Sequence, residues 1–223
     1  MRPHGIHVIL RAQRYKIREQ RQVKLKSYYK KNVYEAGCDE AGRGCLAGPV
    51  VAAAVMLDPD KPIKGLNDSK QLSDLHRREL RDEILEKALA YAICDLSPGE
   101  IDRLNILRAS LQAMANCVLQ LNPKPEFILV DGNKTIPILH IAQLAIIKGD
   151  SLYQSIAAAS ILAKTSRDDM MIRLHEEFPV YGWNQNKAYP TKFHRNMILL
   201  HGPSHHHRKS FKVSAPDLSK SLF

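Results

Sequence analysis

Four carboxylates stand where apolar runs end. Asp39 and Glu40 follow V-Y-E-A-G-C and precede A-G-R-G; Asp131 closes F-I-L-V; Asp150 follows A-I-I-K-G. Taken singly, each suits a turn or a helix cap equally well. Taken together they carry more, provided a sheet brings the three strand ends to one edge. Like charges held close raise each other's pKa unless a cation neutralises them. Donors that are all oxygen, with no His or Cys partner, suit a hard cation, Mg²⁺ or Mn²⁺. Two such ions, about 4 Å apart, can activate a water and stabilise the leaving oxygen of a phosphodiester. The residues alone therefore point to a metal-dependent nuclease or phosphotransferase.

The elements that must position these acids alternate in type. Val33 to Asp39 reads as a short strand and Pro49 to Leu57 as a buried one. Ser73 is placed to N-cap a helix running to about Leu89, with Asp74 favourably in its first turn. Residues 90–96 make a third strand. Ser97-Pro98-Gly99-Glu100 is a capping box with Pro at the first helical position. The helix after it carries Leu104, Leu107, Leu111, Met114, Val118 and Leu121 at three- and four-residue spacing. Phe127 to Val130 and Leu144 to Ile147 read as short buried strands, and a long helix is expected from about Ser155 to Phe178. Strands followed by alternating helix and strand predict an α/β protein, a mixed sheet with helices on its faces. In such sheets functional groups gather beyond strand ends. The expected division is a basic, loosely docked or disordered extension over residues 1–31, a domain over 32–178 that carries the acids, and a segment and tail over 179–223 that mixes Pro, Gly, His and basic residues with short helical pieces.

Charge is divided along the chain. Residues 1–31 hold ten Lys/Arg and one Glu; residues 32–186 hold 16 basic and 21 acidic groups; residues 187–223 hold seven basic groups and one acidic. The net values, +9, −5 and +6, sum to the overall +10. An acidic body between basic ends fits a cation-binding centre flanked by phosphate-facing surfaces, or a tail that keeps the protein soluble. The longest clean apolar run, Val50 to Leu57, is too short to span a bilayer, and the N-terminus lacks a signal-peptide pattern. A cytoplasmic, monomeric protein is expected. Cys38, Cys45, Cys94 and Cys117 form no C-x-x-C pair and are expected to be reduced and buried.

The stretch G-C-D-E-A-G-R-G-C-L-A-G-P-V-V-A-A-A-V at 37–55 resembles the signature of the ribonuclease HII family, type 2 ribonucleases H. So do L-N-D-S-K at 66–70, L-V-D-G-N at 129–133, K-G-D-S at 148–151, A-A-A-S-I-L-A-K-T-S-R-D at 157–168, A-Y-P-T-K-F-H at 188–194 and H-R-K-S-F at 207–211. These motifs span about residues 33–212. The resemblance implies a ribonuclease H-like fold, a mixed five-stranded sheet flanked by helices, as a catalytic domain over residues 32–178, with a small helical C-terminal segment over 179–223 that helps bind substrate. It implies cleavage of the RNA strand of RNA–DNA hybrids and 5′ of single ribonucleotides in duplex DNA, leaving 3′-OH and 5′-phosphate.

By the same resemblance Asp39, Glu40, Asp131 and Asp150 form the metal-binding tetrad, holding two divalent ions, Mg²⁺ or Mn²⁺. Gly42, Arg43 and Gly44 match the element that reads the ribonucleotide 2′-hydroxyl, the group that separates RNA from DNA. Without the motif they would read as a tight turn. Tyr189 matches the tyrosine that stacks on the sugar at the junction. The family has His-Lys-Gly-Tyr there, whereas this chain has Asn186-Lys187-Ala188-Tyr189, an alanine where positive φ is expected. Asn67 and Lys70 fall in a turn placed near the DNA backbone. Ser160, Lys164 and Arg167 share one helical face and form a candidate phosphate track or a solvated surface. Asp168 is expected to pair with a neighbouring base. The run His205-His206-His207, with His194 and His201, lacks a structural zinc spacing and reads as a basic tail facing nucleic acid. Leu222 and Phe223 end the chain on an apolar pair that suits either weak docking on a sliding clamp or packing against the enzyme's own core. A DNA nuclease on the same fold and a non-catalytic hybrid binder are the competing readings.

Overall fold

In this computed structural model the described residues are 25–213. The apolar runs on either side of the A-G-R-G turn form the middle of one five-stranded sheet. Strand β1 (Glu35–Ala41) pairs antiparallel with β2 (Val50–Leu57), and β2 pairs antiparallel with β3 (Ala88–Leu96). On its other side β1 runs parallel to β4 (Phe127–Asp131), which runs parallel to β5 (Ala142–Ile146). The order is β3-β2-β1-β4-β5. Every residue of β2 before Leu57 is buried, as a strand covered on both faces should be. Strand β5 is the exception to the expected burial. It lies at the sheet edge, is only partly covered, and begins two residues earlier than its apolar run suggests; Ile147, expected inside, is 69% exposed.

Helix α1 (Asp74–Lys87) follows β2, α2 (Pro98–Leu104) and α3 (Ile106–Gln120) lie between β3 and β4, and α4 (Gln154–Glu177) follows β5. Ser73 caps α1 by accepting from the His76 amide, and the Ser97–Glu100 capping box opens α2. The leucine periodicity that predicts one helix is cut in two at Asn105, which adopts φ +68 and caps α3 by accepting from the Arg108 amide. With ψ 160 this is an extended conformation of positive φ, and the capping bond of the short asparagine side chain helps hold it. Helix α3 covers one sheet face through Ala109, Ala113, Cys117 and Val118, which meet Cys38, Ala52, Ala54 and Val130. Helices α1 and α4 cover the other through Leu80, Ile84, Ala158 and Leu162. All four cysteines are buried and free, as expected.

A third apolar cluster builds the C-terminal segment, where α5 (Trp183–Asn186) and α6 (Lys192–His201) pack with Met171 of α4 and with Leu46 and Ala47 of the glycine-rich loop. Residues 25–31, assigned by charge to the extension, lie on the domain. Leu25 is buried, the Lys26 amide donates to the Leu152 carbonyl at 2.8 Å, and Tyr29 stacks on Phe127 with centroids 5.6 Å apart. The expectations for residues 1–24 and for Leu222-Phe223 fall outside the described residues.

Candidate active site

Register places the first two acids. β1 and β4 are parallel, with Cys38 opposite Val130. One residue on, Asp39 and Asp131 therefore stand side by side and face the same way, toward α4. Gly37, two residues earlier on that face, allows α4 to begin against the strand: a Cβ there would fall 2.2 Å from the Ser155 carbonyl carbon. The turn leading into α4, Gly149–Ser151, thereby delivers Asp150 to the same strand ends. Asp131 fixes that turn by accepting from the Gly149 amide at 2.7 Å. Strand alternation sends Glu40 to the other side of β1, where Arg43 Nη1 lies 3.2 Å from its carboxylate.

Electrostatics make this edge receptive to cations. Burial, then the charges of Glu40 and Asp131, push Asp39 well above the usual carboxylate range; bonds from Ser160 and the Glu40 amide offset this only in part. Burial also raises Glu40, with Asp131 adding to it and Arg43 opposing. Asp150 is raised by burial and by Asp68 and Asp131, while Lys70, 3.8 Å away, pulls it back. Partial burial pulls Lys70 down, but Asp150, Asp68, Asp39 and Asp131 outweigh it and raise its pKa. Among the described residues, no three of the four acids bring oxygens within 4.8 Å of one another. All-oxygen donors set close enough to raise the pKa of Asp39, Glu40 and Asp150, two buried (Asp39, Asp150) and two partly buried (Glu40, Asp131), fit a hard divalent cation, and these four are the residues that could hold it by drawing closer together.

Two loops border the acids. Gly42 has φ +95, and a Cβ on it would fall 2.0 Å from Arg167 Nε. Arg167, only 1% exposed, donates to the carbonyls of Pro49, Ala47 and Lys187. Arg208, also buried, donates to those of Gly48, Arg43 and Pro49. Arg167 thus ties Ala47 and Pro49 to the Lys187 carbonyl, Arg208 ties Arg43, Gly48 and Pro49 to the C-terminal segment, and the Leu46 amide donates to the Ala188 carbonyl at 2.9 Å, so the two loops are held together. Burial and the neighbouring Arg167 lower the Arg208 pKa to about 10. Lys187 and Ala188 both adopt positive φ, +48 and +64, so the conformation expected where the family has glycine is present with alanine in place. Tyr189 is 40% exposed, with Lys164 Nζ 5.9 Å from its ring centroid.

A histidine relay, not anticipated from sequence, supports Tyr189. His194 Nδ1 faces the Tyr189 carbonyl at 3.1 Å, so it carries the proton and donates. Its Nε2 then accepts from Trp183 Nε1 at 3.0 Å and from His207 Nε2 at 3.2 Å, while His207 Nδ1 accepts from the Ser204 amide at 2.9 Å. Their surroundings favour the neutral form of both rings. Burial lowers His194, and burial with His194 beside it lowers His207 to about 4. His207 thus belongs to the interior, not to a basic tail facing nucleic acid. The motif match to H-R-K-S-F was the one sequence signal that marked it.

The expected phosphate track is corrected in the same way. Ser160 is 5% exposed; its hydroxyl bonds that of Ser69 at 2.9 Å and supports Asp39. Arg167 is buried as described. Three- and four-residue spacing does place these side chains together, but their face of α4 turns into the protein. Lys164 is held by Asp168 at 2.6 Å, the pairing expected for that acid. Asn67 accepts from the Asp68 amide within its turn, and Lys70 extends from that turn with an 80% exposed side chain.

Comparison with known proteins agrees with this architecture. The family model described as ribonuclease HII matches residues 36–214. The chain is 55% identical over 189 residues to the ribonuclease HII of Bacteroides thetaiotaomicron, covering 85% of this chain and 94% of the relative. It is 52% identical over 188 residues to that of Porphyromonas gingivalis, covering 84% and 94%. Among solved structures, the ribonuclease H2 from Pyrococcus horikoshii OT3 superposes with TM-score 0.67 at 26% identity, covering 80% of this chain and 94% of that one. The RNase HII in the PCNA:RNase HII complex from Archaeoglobus fulgidus gives 0.66 at 29% identity, covering 84% and 99%. A five-stranded mixed sheet in this order, the family match over nearly all described residues and these identities lead to one conclusion: the chain belongs to the ribonuclease HII family and is a nuclease hydrolase of the ribonuclease H-like fold.

Proposed function

We propose that this enzyme hydrolyses the RNA strand of RNA–DNA hybrids and cuts 5′ of single ribonucleotides in duplex DNA, leaving 3′-OH and 5′-phosphate. The observation that carries the reading is that the glycine-arginine-glycine loop, whose Arg43 pairs with Glu40, is held to the loop of Tyr189 through Arg167 and the Leu46–Ala188 hydrogen bond, so that sugar recognition and chemistry share one edge. Divalent ions, Mg²⁺ or Mn²⁺, supply charge neutralisation and water activation when Asp39, Glu40, Asp131 and Asp150 bind them. The protein's own part is positioning. Apart from its own chain neighbours, Gly44 has no protein atom within 4 Å of where its Cβ would stand, which leaves its backbone open to a sugar. Tyr189 offers an exposed ring face for stacking, and Arg43, Asn67 and Lys70 line the approach for phosphates and the 2′-hydroxyl. A substrate seated on both loops brings its scissile phosphate to the acids in one pose, which is what raises the rate.

The deciding experiment is cleavage, in Mg²⁺ and separately in Mn²⁺, of three duplexes: one with a single ribonucleotide, a long hybrid, and all-DNA. The proposal expects cuts in the first two, 5′ of the ribonucleotide in the first, and none in the third. Cleavage of all-DNA duplex would favour a DNA nuclease on the same fold, and binding without cleavage would favour a hybrid binder. We also propose a weak sliding-clamp contact through Leu222 and Phe223, which the Archaeoglobus fulgidus relative's complex with PCNA supports; removing the two residues should then abolish clamp binding in a pull-down and leave the melting temperature unchanged, whereas packing of the pair against the enzyme's own core predicts a lower melting temperature and no clamp binding in either form.

A further inference from the structure

Away from the acids, the end of α4 meets the C-terminal segment at a second group of ligand-type side chains. Glu177 is the last residue of α4. His205 and His206 come from the turn after α6 and pack edge-on against Phe178, with ring centroids 5.2 and 5.5 Å away. One ligand atom from each of Glu177, His205 and His206 lies within 4.8 Å of the others. His206 Nε2 stands 3.9 Å from the Glu177 carboxylate, is sequestered from solvent, and has no hydrogen-bond partner. A buried ring nitrogen without a partner is uncommon, because leaving it unsatisfied is unfavourable.

We propose that Glu177, His205 and His206 form a binding site for a borderline transition-metal ion of the Zn²⁺ class, distinct from the carboxylate edge. Two imidazoles and one carboxylate suit Zn²⁺, whereas Mg²⁺ takes oxygen donors. Zn–N and Zn–O bonds of about 2.1 Å in tetrahedral geometry put ligand atoms about 3.4 Å apart. The trio must therefore draw in by roughly half an ångström at the 3.9 Å pair, within the reach of the exposed Glu177 and His205 side chains. The fourth position is left to water. The spacing of the histidines gives no zinc signature, since the third ligand lies 28 residues upstream and only the fold supplies it.

Such an ion would staple the catalytic domain to the C-terminal segment. The His206 carbonyl accepts from the Gly48 amide at 2.9 Å, so the staple joins α4 to the base of the glycine-rich loop.

The test is calorimetric titration of the full chain with Zn²⁺, and with Co²⁺ followed by visible absorption, in the wild type and in His205→Ala, Glu177→Gln and Asp131→Asn. The first two substitutions are at exposed positions, which keeps the test independent of any folding defect that His206→Ala would bring. The expected result is one site of roughly micromolar affinity, tetrahedral Co²⁺ bands, and a rise in melting temperature on the order of 5 °C at hundredfold excess over Kd. Binding should weaken at least tenfold in His205→Ala and Glu177→Gln and persist in Asp131→Asn. Mg²⁺-dependent cleavage should be unchanged in His205→Ala. Binding lost in Asp131→Asn but retained in His205→Ala would place the ion at the carboxylate edge and overturn the proposal. So would the absence of any site tighter than about millimolar.

Discussion

Asp131 has two jobs that substitution can separate. Its Oδ1 holds the Gly149 amide, and its charge faces Asp39 and Asp150. Asp131→Asn keeps an acceptor for Gly149 and removes the charge. The expected outcome is an intact fold with cleavage reduced about a hundredfold or more, measured as single-turnover rate in Mg²⁺, and with metal-free substrate binding retained. Near-normal turnover would remove Asp131 from the tetrad. Tyr189→Ala should hurt a lone ribonucleotide more than a long hybrid, since a hybrid offers many registers and a single junction only one. Equal losses on the two substrates would reject a junction role. Ala188→Gly sets opposing effects against each other. Relief of a left-handed alanine gains roughly 1–2 kcal/mol, while added unfolded-chain freedom and a lost buried methyl cost about 0.4–1 and 0.8 kcal/mol. The melting temperature should barely move, and junction cleavage should hold or rise.

At the scale of elements, the C-terminal segment carries a pH dependence. His207, with a pKa near 4 in the fold and near 6.5 when unfolded, takes up its proton more readily in the unfolded chain. Its contribution to stability is therefore complete above about pH 6.5 and lost as pH falls toward 4; His194 is shifted in the same direction. The slope is up to about 1.4 kcal/mol per pH unit for each proton taken up. Protonating His194 Nε2 also breaks two bonds that hold the Tyr189 carbonyl in place through the ring. Melting curves from pH 7.5 to 4.5 should show this loss, and His207→Gln should flatten it. A mutant with the wild-type slope would assign the dependence elsewhere. The sequence pattern placed these histidines in a basic tail because it registered their number and proximity, and not that Trp183 and Tyr181 enclose them.

Across the whole molecule, the acidic body and basic ends divide labour differently from a simple count. Residues 25–31 are basic, yet Leu25 and Tyr29 anchor them beside α4 and β4. Removing residues 1–31 should lower stability by roughly 2–5 kcal/mol, from loss of two largely apolar side-chain contacts. Removing residues 1–24 keeps those contacts. It should leave the denaturation midpoint nearly unchanged while weakening binding to hybrid and flattening its dependence on salt. An equal loss of stability from both deletions would show that the first 24 residues belong to the folded unit.

Strands, caps and acids were legible in the sequence because their causes are local. Alternation and apolar runs follow from the two-residue strand period, Ser73 and Ser97 cap by bonding amides three residues on, and motif order carried the family and with it the sheet. The placing of the acids beyond strand ends was legible because Asp39-Glu40 and Asp131 close apolar runs and Asp150 follows one across Lys148-Gly149. What only the tertiary structure decided depends on which surface a face meets. The spacing of Ser160, Lys164 and Arg167 defines a face of α4, but whether that face meets phosphate or protein depends on where Leu46, Ala47 and Lys187 fold. Asn105 breaks a continuous leucine pattern, since periodicity does not register one residue's change of φ. Arg208 and His207 lie more than 150 residues from the loop at Gly44 that their segment supports. Contacts over such separations leave no local pattern, because nothing between the two positions records that the chain will bring them together.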